Sequence, residues 1–220
     1  HCLLRRQRQM CIRDRPKTNA SPIAPKKVIK KQKSPNILFA SGQYGQVIDL
    51  INTSLKSNSD NHKLIFLKGR SQLMLNQYEK AASTFLDALA IKIDSDYLNG
   101  LGYAYSKLKQ SDKALAAYNK AISINNKNSY AYFNSGLLLE NKGNKKRAAD
   151  YFYSAGTSSL LNKDFLKANN AHDALQRLSK GESVILEKSD KLGSLIKELT
   201  DDKDNDFKII KVKTKGDKNG

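Results

Sequence analysis

Residues 111–125 read SDKALAAYNKAISIN. Ala114, Tyr118 and Ala121 follow one another at steps of four and three, so a helix carries all three on one face. Two alanines bury less area than a leucine stripe would. Such a face is built for close approach to a neighbour, with the ring filling the space left over. The triplet recurs. KAASTFLDALAIKI places Ala81, Phe85 and Ala88 at the same steps, and RAADYFYSAG places Ala148, Phe152 and Ala155 there. The first member moves by 33 residues and then by 34. A small-large-small triplet at fixed period predicts a repeat array.

Each triplet has company. A glycine stands twelve residues before its first alanine, at Gly69, Gly102 and Gly136, and Ile65, Leu98 or Tyr132 stands four before that. The units run 62–94, 95–128 and 129–162. This spacing resembles the tetratricopeptide repeat, a helix-turn-helix unit of about 34 residues. The match is closest in 95–128, through Leu98, Leu101, Gly102, Tyr105, Ala114, Tyr118 and Ala121. Unit 62–94 departs from it with Lys68 and Gln72 at usually apolar positions. The familiar proline near the end of each unit is absent, with Ile93, Asn126 and Leu160 there instead. The resemblance implies an all-α fold, a right-handed α-solenoid of helix-turn-helix repeats.

The rest of the chain arranges itself around these units. Residues 34–61 read as a partial repeat. Leu161, Phe165, Ala168, Ala171, Leu175 and Leu178 lie along one side of a helix that would cap the array over 163–180, so the array spans 34–180. Within 181–220, Leu192, Leu195, Ile196 and Leu199 mark a short amphipathic helix, followed by a polar tail. Residues 1–33 read as a disordered basic segment. Their first fifteen, HCLLRRQRQMCIRDR, have no initiator Met and no helical period, and they resemble a translated adapter scar at the end of an environmental gene fragment.

The net charge is +18, unevenly spread. Residues 1–34 hold eleven Lys or Arg against one Asp, whereas 35–200 hold 22 against 15. More than half of the excess therefore sits outside the repeats, which disfavours a nucleic-acid groove. No apolar run approaches the roughly 20 residues of a membrane helix. The two cysteines, Cys2 and Cys11, lie in the first segment, so the array is expected to hold no disulfide, which suits a cytoplasmic protein. A composition heavy in Lys and Asn points to an AT-rich bacterial genome.

Catalytic patterns are missing. His1, His62 and His172 have no metal-ligand spacing, and the DDKDND run at 201–206 lacks the glycine and closing glutamate of a calcium loop. No glycine loop suits a phosphate. We therefore expect no enzyme activity, no metal and no cofactor.

What the resemblance implies is a groove lined by the first helix of each unit. Carried onto matching positions, it takes Lys63, Phe66 and Arg70 from the first unit, Asn99, Tyr103 and Lys107 from the second, and Tyr130, Phe133 and Leu137 from the third. Such a groove is aromatic with a basic end, and aromatic anchors beside Arg are frequent carriers of binding energy. The implied function is a scaffold or adaptor that holds a peptide segment of a partner protein. The alternative is a regulatory or substrate-recruiting repeat region of a larger transferase or oxygenase. Some relatives in the family clamp a terminal carboxylate with Lys and Asn at the fifth and ninth positions. Here those positions hold Phe66 and Arg70, then Asn99 and Tyr103, so that clamp is not reproduced.

Overall fold

A computed structural model describes residues 34–201; the readings of residues 1–33 and of the tail beyond 201 lie outside the described residues. Among the described residues there are ten helices and no strand. They are α1 (Pro35–Ala40), α2 (Tyr44–Leu55), α3 (His62–Met74), α4 (Tyr78–Ile91), α5 (Ser95–Lys107), α6 (Ser111–Ile124), α7 (Ser129–Asn141), α8 (Lys145–Leu161), α9 (Phe165–Leu178) and α10 (Ser183–Asp201). Consecutive helices pack on each other, and α3 touches α5 as α5 touches α7. This is an α-solenoid: α3–α4, α5–α6 and α7–α8 are hairpins stacked side by side.

The turn inside each hairpin is closed in one way. Gly42, Asn76, Lys109 and Gly143 all have positive φ, between 57° and 78°. The next N–H reaches back across the helix end, from Gln43 to the Leu38 carbonyl, Gln77 to Gln72, Gln110 to Tyr105 and Asn144 to Leu139, each at 2.9 Å. That is the Schellman geometry, which satisfies helix-end carbonyls and needs one left-handed residue. Glycine takes that conformation freely, and Asn often does. Lys109 takes it at a steric cost.

The triplet is the core of each hairpin. Ala81, Phe85, Ala88, Ala114, Tyr118, Ala121, Ala148, Phe152 and Ala155 are all buried. Opposite each ring stands the glycine of the preceding helix. A Cβ built on Gly69 would lie 2.7 Å from the Phe85 ring, on Gly102 2.5 Å from Tyr118, and on Gly136 2.7 Å from Phe152. Real Cβ atoms do not come so close, so the ring occupies the volume that the missing side chain vacates. The ring thus seats within its own hairpin. Only Phe85 among the three also meets the next hairpin's glycine, with Gly100 as close as Gly69.

The C-terminal end breaks the period. Helix α8 has 17 residues where α4 and α6 have 14. It ends in another Schellman turn at Lys163, with φ 56°, whereas α4 and α6 end in extended Lys92 and Asn125. Helix α9 therefore folds tightly onto α8, burying Ala168, Ala171, Ala174, Leu175 and Leu178. Helix α10 then lies on both α8 and α9. Its Leu192 side chain fills the notch at Gly156, and His172 of α9 faces Gly193. Ion pairs fix the assembly: Lys188 with Asp150, and Arg177 with Glu140 through two bonds of 2.8 and 3.0 Å. Helix α10 is longer than the apolar spacing at 192–199 indicates. Its first two turns bury only Ile185 and Ser189 among charged neighbours, a pattern too sparse to read as an amphipathic stripe.

Candidate binding face

The odd-numbered helices from α1 to α9 share one face, and pairs of side chains bridge the step between neighbours along it. Between α1 and α3, the Arg70 guanidinium lies 4.6 Å from the centre of the Phe39 ring and 5.8 Å from Phe66. Between α3 and α5, Phe66 stacks on Tyr97 with centroids 4.5 Å apart, while the Tyr97 hydroxyl and His62 Nδ1 share a hydrogen bond of 2.6 Å. Burial raises the Tyr97 phenol, with Asp94 and Asp96 adding to the shift. Between α5 and α7, Asn134 Nδ2 donates to Asn99 Oδ1 at 2.9 Å. Between α7 and α9, the Lys167 ammonium sits 4.3 Å from the Tyr130 ring centre.

The nine residues taken from the resemblance separate into two kinds. Lys63, Arg70, Lys107 and Tyr130 are exposed. Phe66, Asn99, Tyr103, Phe133 and Leu137 are half-buried and take part in packing. Phe133 rests on Phe152, ring centroids 5.2 Å apart, and Leu137 packs against the same cluster. Lys107 reaches over Tyr103, 5.2 Å from its ring. Among the described residues no carboxylate pairs with Arg70, and α3 carries Lys63, Lys68 and Arg70 with no acid at all. This end of the face is electropositive.

At the other end the face opens into a pocket of about 160 Å³. Tyr130 and Phe133 of α7, Ala155 and Ser159 of α8, and Lys167 and Asn170 of α9 line it. Asp164 caps α9 by accepting from the Lys167 N–H at 3.1 Å, and it also takes the Lys167 ammonium. Those bonds hold the Asp164 carboxyl below its usual range and raise Lys167. The pair fixes Lys167 at the pocket rim.

Sequence reasoning does not single out Tyr97, Lys167, Asn170 or Ser159. Tyr97 adjoins Leu98 outside the repeat pattern, and the other three belong to elements read as cap or core.

Among the described residues no group of three or more His, Cys, Asp or Glu side chains is placed to hold a metal ion. No described helix is long and apolar enough to cross a membrane.

Stacked hairpins with a glycine-and-ring core define a helical-repeat protein, and comparison gives the class its name. The tetratricopeptide-repeat family model matches residues 95–128. A TPR repeat-containing protein of Methanocaldococcus jannaschii is 28% identical over 115 residues, 52% of this chain and 20% of the relative. The chain thus spans about a fifth of that relative's length. A crystal structure of MamA superposes with a TM-score of 0.60 at 15% identity, covering 77% of this chain and 96% of that one. MamA 41-end from Desulfovibrio magneticus RS-1 gives 0.58 at 13% identity over 77% and 93%. A thermophilic TPR protein of Thermus thermophilus gives 0.52 at 17% over 73% and 94%. At these identities the solved structures speak for the fold alone. The chain thus carries a tetratricopeptide repeat at 95–128, within a stack of like hairpins whose fold is that of tetratricopeptide-repeat structures.

Proposed function

We propose that this chain is a non-catalytic scaffold that holds an extended peptide segment of a partner protein along the face of α3, α5 and α7. The observation that carries the reading is Arg70. It is an exposed cation spread over two aromatic rings, with no carboxylate beside it. A guanidinium so placed is held flat for a carboxylate from outside. Lys63, Asn99, Tyr103, Lys107, Tyr130, Phe133 and Leu137 then line the path of the peptide, the polar ones meeting its backbone and the rings its side chains. A tetratricopeptide-repeat fold supports a role in protein interaction, and its fold relatives are typically not enzymes.

The test is a peptide array overlaid with the full chain and with an Arg70→Gln/Tyr130→Ala variant, both at exposed positions. The full chain is expected to retain a defined subset of peptides that the variant releases. Identical retention by both proteins, or none by either, refutes the reading.

A second reading has one observation in its favour: the curated relative extends far beyond the matched segment. On it, the same face recruits substrates for a catalytic domain in the same polypeptide. A coding sequence that runs from Gly220 into such a domain supports it, and a stop codon there removes it.

A further inference from the structure

We infer that the α1–α2 hairpin is a flap: it opens from α3 as one unit, and an acidic ligand on Arg70 holds it shut. The opening stands on the joint itself; the ligand clause rests on the peptide-binding reading and adds a moving part to it.

The joint between α2 and α3 differs from the later ones in what it is made of. On α5, Leu101, Ala104 and Tyr105 pack against Ala81, Ala82 and Phe85 of the preceding hairpin. One period earlier, α3 carries Lys68, Ser71 and Gln72 at those positions. Gln72 is 5% exposed and its Oε1 has no hydrogen-bond partner, while Ser71 donates to the Leu67 carbonyl of its own helix at 2.8 Å. A buried polar group without a partner holds a joint less well than an apolar side chain of its size. What remains is a small cluster, Leu38, Val47 and Ile51 against Leu64 and Leu67.

Polar ties are missing there as well. Tyr97 bonds to His62, Asn134 to Asn99, Tyr151 to Asn119 and Arg177 to Glu140, each across a later joint. Among the described residues no hydrogen bond or ion pair joins α1 or α2 to α3 or to any helix beyond it. Helix α1 has six residues where α3, α5 and α7 have thirteen, so little area grips. A unit held by few apolar contacts and no polar ones lies at the low end of local stability.

The contact that does cross the joint belongs to the binding face. Phe39 of α1 packs edge-on against Tyr44, centroids 5.2 Å apart, and lies 4.6 Å from the Arg70 guanidinium. An open flap leaves Arg70 with Phe66 alone, 5.8 Å away. A guanidinium pinned between two rings loses less freedom on pairing with a carboxylate than one that swings. The shut form therefore binds the acid better, and by linkage the acid draws the flap shut.

The test is native-state hydrogen exchange of the full chain, read by NMR. Val47 and Ile51 of α2 are 0% exposed, and at the equivalent positions of α6 Ala114 is 0% and Tyr118 1% exposed, so burial alone gives these amides like protection. The flap is expected to make Val47 and Ile51 exchange about a hundredfold faster than Ala114 and Tyr118. Lys68→Leu/Gln72→Leu, which puts apolar side chains where α5 has Leu101 and Tyr105, should slow the α2 amides about tenfold or more and leave α6 unchanged. Leu38→Ala should speed α2 further, again without moving α6. Hexaglutamate should slow Val47 and Ile51 several-fold in the native chain and not in Arg70→Gln. Equal protection of α2 and α6, α2 amides indifferent to Lys68→Leu/Gln72→Leu, or exchange that rises in both helices together in Leu38→Ala overturns the flap, because the array then opens as one. Exchange in α2 unmoved by hexaglutamate, or slowed equally in Arg70→Gln, overturns the coupling. The peptide array reads Arg70 without reference to α2, so it decides the groove reading separately.

Discussion

The side-chain amide of Asn128, at the head of α7, donates to the hydroxyl of Ser95 at the head of α5, 2.6 Å away. Ser95 passes the bond on to the Ala121 carbonyl at the end of α6, 2.9 Å away. The same amide reaches Asp96 at 3.1 Å, and Asn128 Oδ1 caps α7 by accepting from the Ala131 N–H. One buried residue thus joins three helix ends of two repeats. Asn128→Ala should lower stability by about 1–3 kcal/mol, since it removes a cap and leaves Ser95 short of a partner. Asn128→Asp should lower it as well, because it keeps the cap but sets a carboxylate against Asp96. Thermal denaturation followed by circular dichroism checks both; an unchanged Tm for either variant would contradict the network.

The ring-on-glycine fit makes a sharper steric claim. Gly102→Ala puts a methyl 2.5 Å from Tyr118, and overpacking of that kind costs about 1–3 kcal/mol. Gly45→Ala, in α2 with nothing within 4 Å, should instead stabilise by about 0.5–1 kcal/mol. Opposite signs for two glycine-to-alanine changes in helices are the expected result of urea denaturation. Adding Tyr118→Leu to Gly102→Ala should cost less than the two single losses combined.

Lys109 offers a gain. Its φ of 60° is left-handed, where the equivalent turns use Gly42 and Gly143. Lys109→Gly relieves that strain and should stabilise by about 1 kcal/mol. Gly143→Ala, at φ 78°, should destabilise by a similar amount. Equal melting temperatures for the two variants would show that the turn carries no strain.

Alkaline pH should open the array through Tyr118. Burial raises its phenol well above the ordinary 10.0, with Tyr103 adding to the shift. A group raised on folding contributes stability that is present below its unfolded value and lost as pH rises through the folded one. Stability should therefore fall above pH 10, and Tyr118→Phe should flatten that fall; a slope unchanged in Tyr118→Phe would assign it elsewhere. Asp164 has the opposite sign. Its hydrogen bonds to Lys167 lower the carboxyl from 3.8, so the α9 cap holds above that value and is lost as pH drops below it.

The fold was legible because steric fit repeats. Three glycines, three rings and six alanines at constant offsets have one common solution, and the hairpins follow from it. The turns were less legible: Lys109 reads as an ordinary exposed lysine, and only its backbone angle shows otherwise. The C-terminal end was least legible, because α8 outruns the period by three residues and α10 hides its buried stripe among charges. For the binding face, repeat position located Arg70 and Tyr130, but position says nothing of what a side chain touches. Phe66 and Phe133 have their rings committed to Tyr97 and Phe152 as well as to the face. Ser159 and Lys167 enter only through three-dimensional proximity.

The two seams between complete hairpins are made of different materials. The first is welded mainly by rings, Phe85 shared between Gly69 and Gly100 and Phe66 stacked on Tyr97, with one hydrogen bond between His62 and Tyr97; the second is stitched by amides, Asn128 to Ser95 and Asn134 to Asn99. Apolar contacts weaken as water cools, and hydrogen bonds do not follow that trend. Cold should thus loosen the α4–α5 junction ahead of the α6–α7 junction, and amide hydrogen exchange near freezing would register the order in which they part.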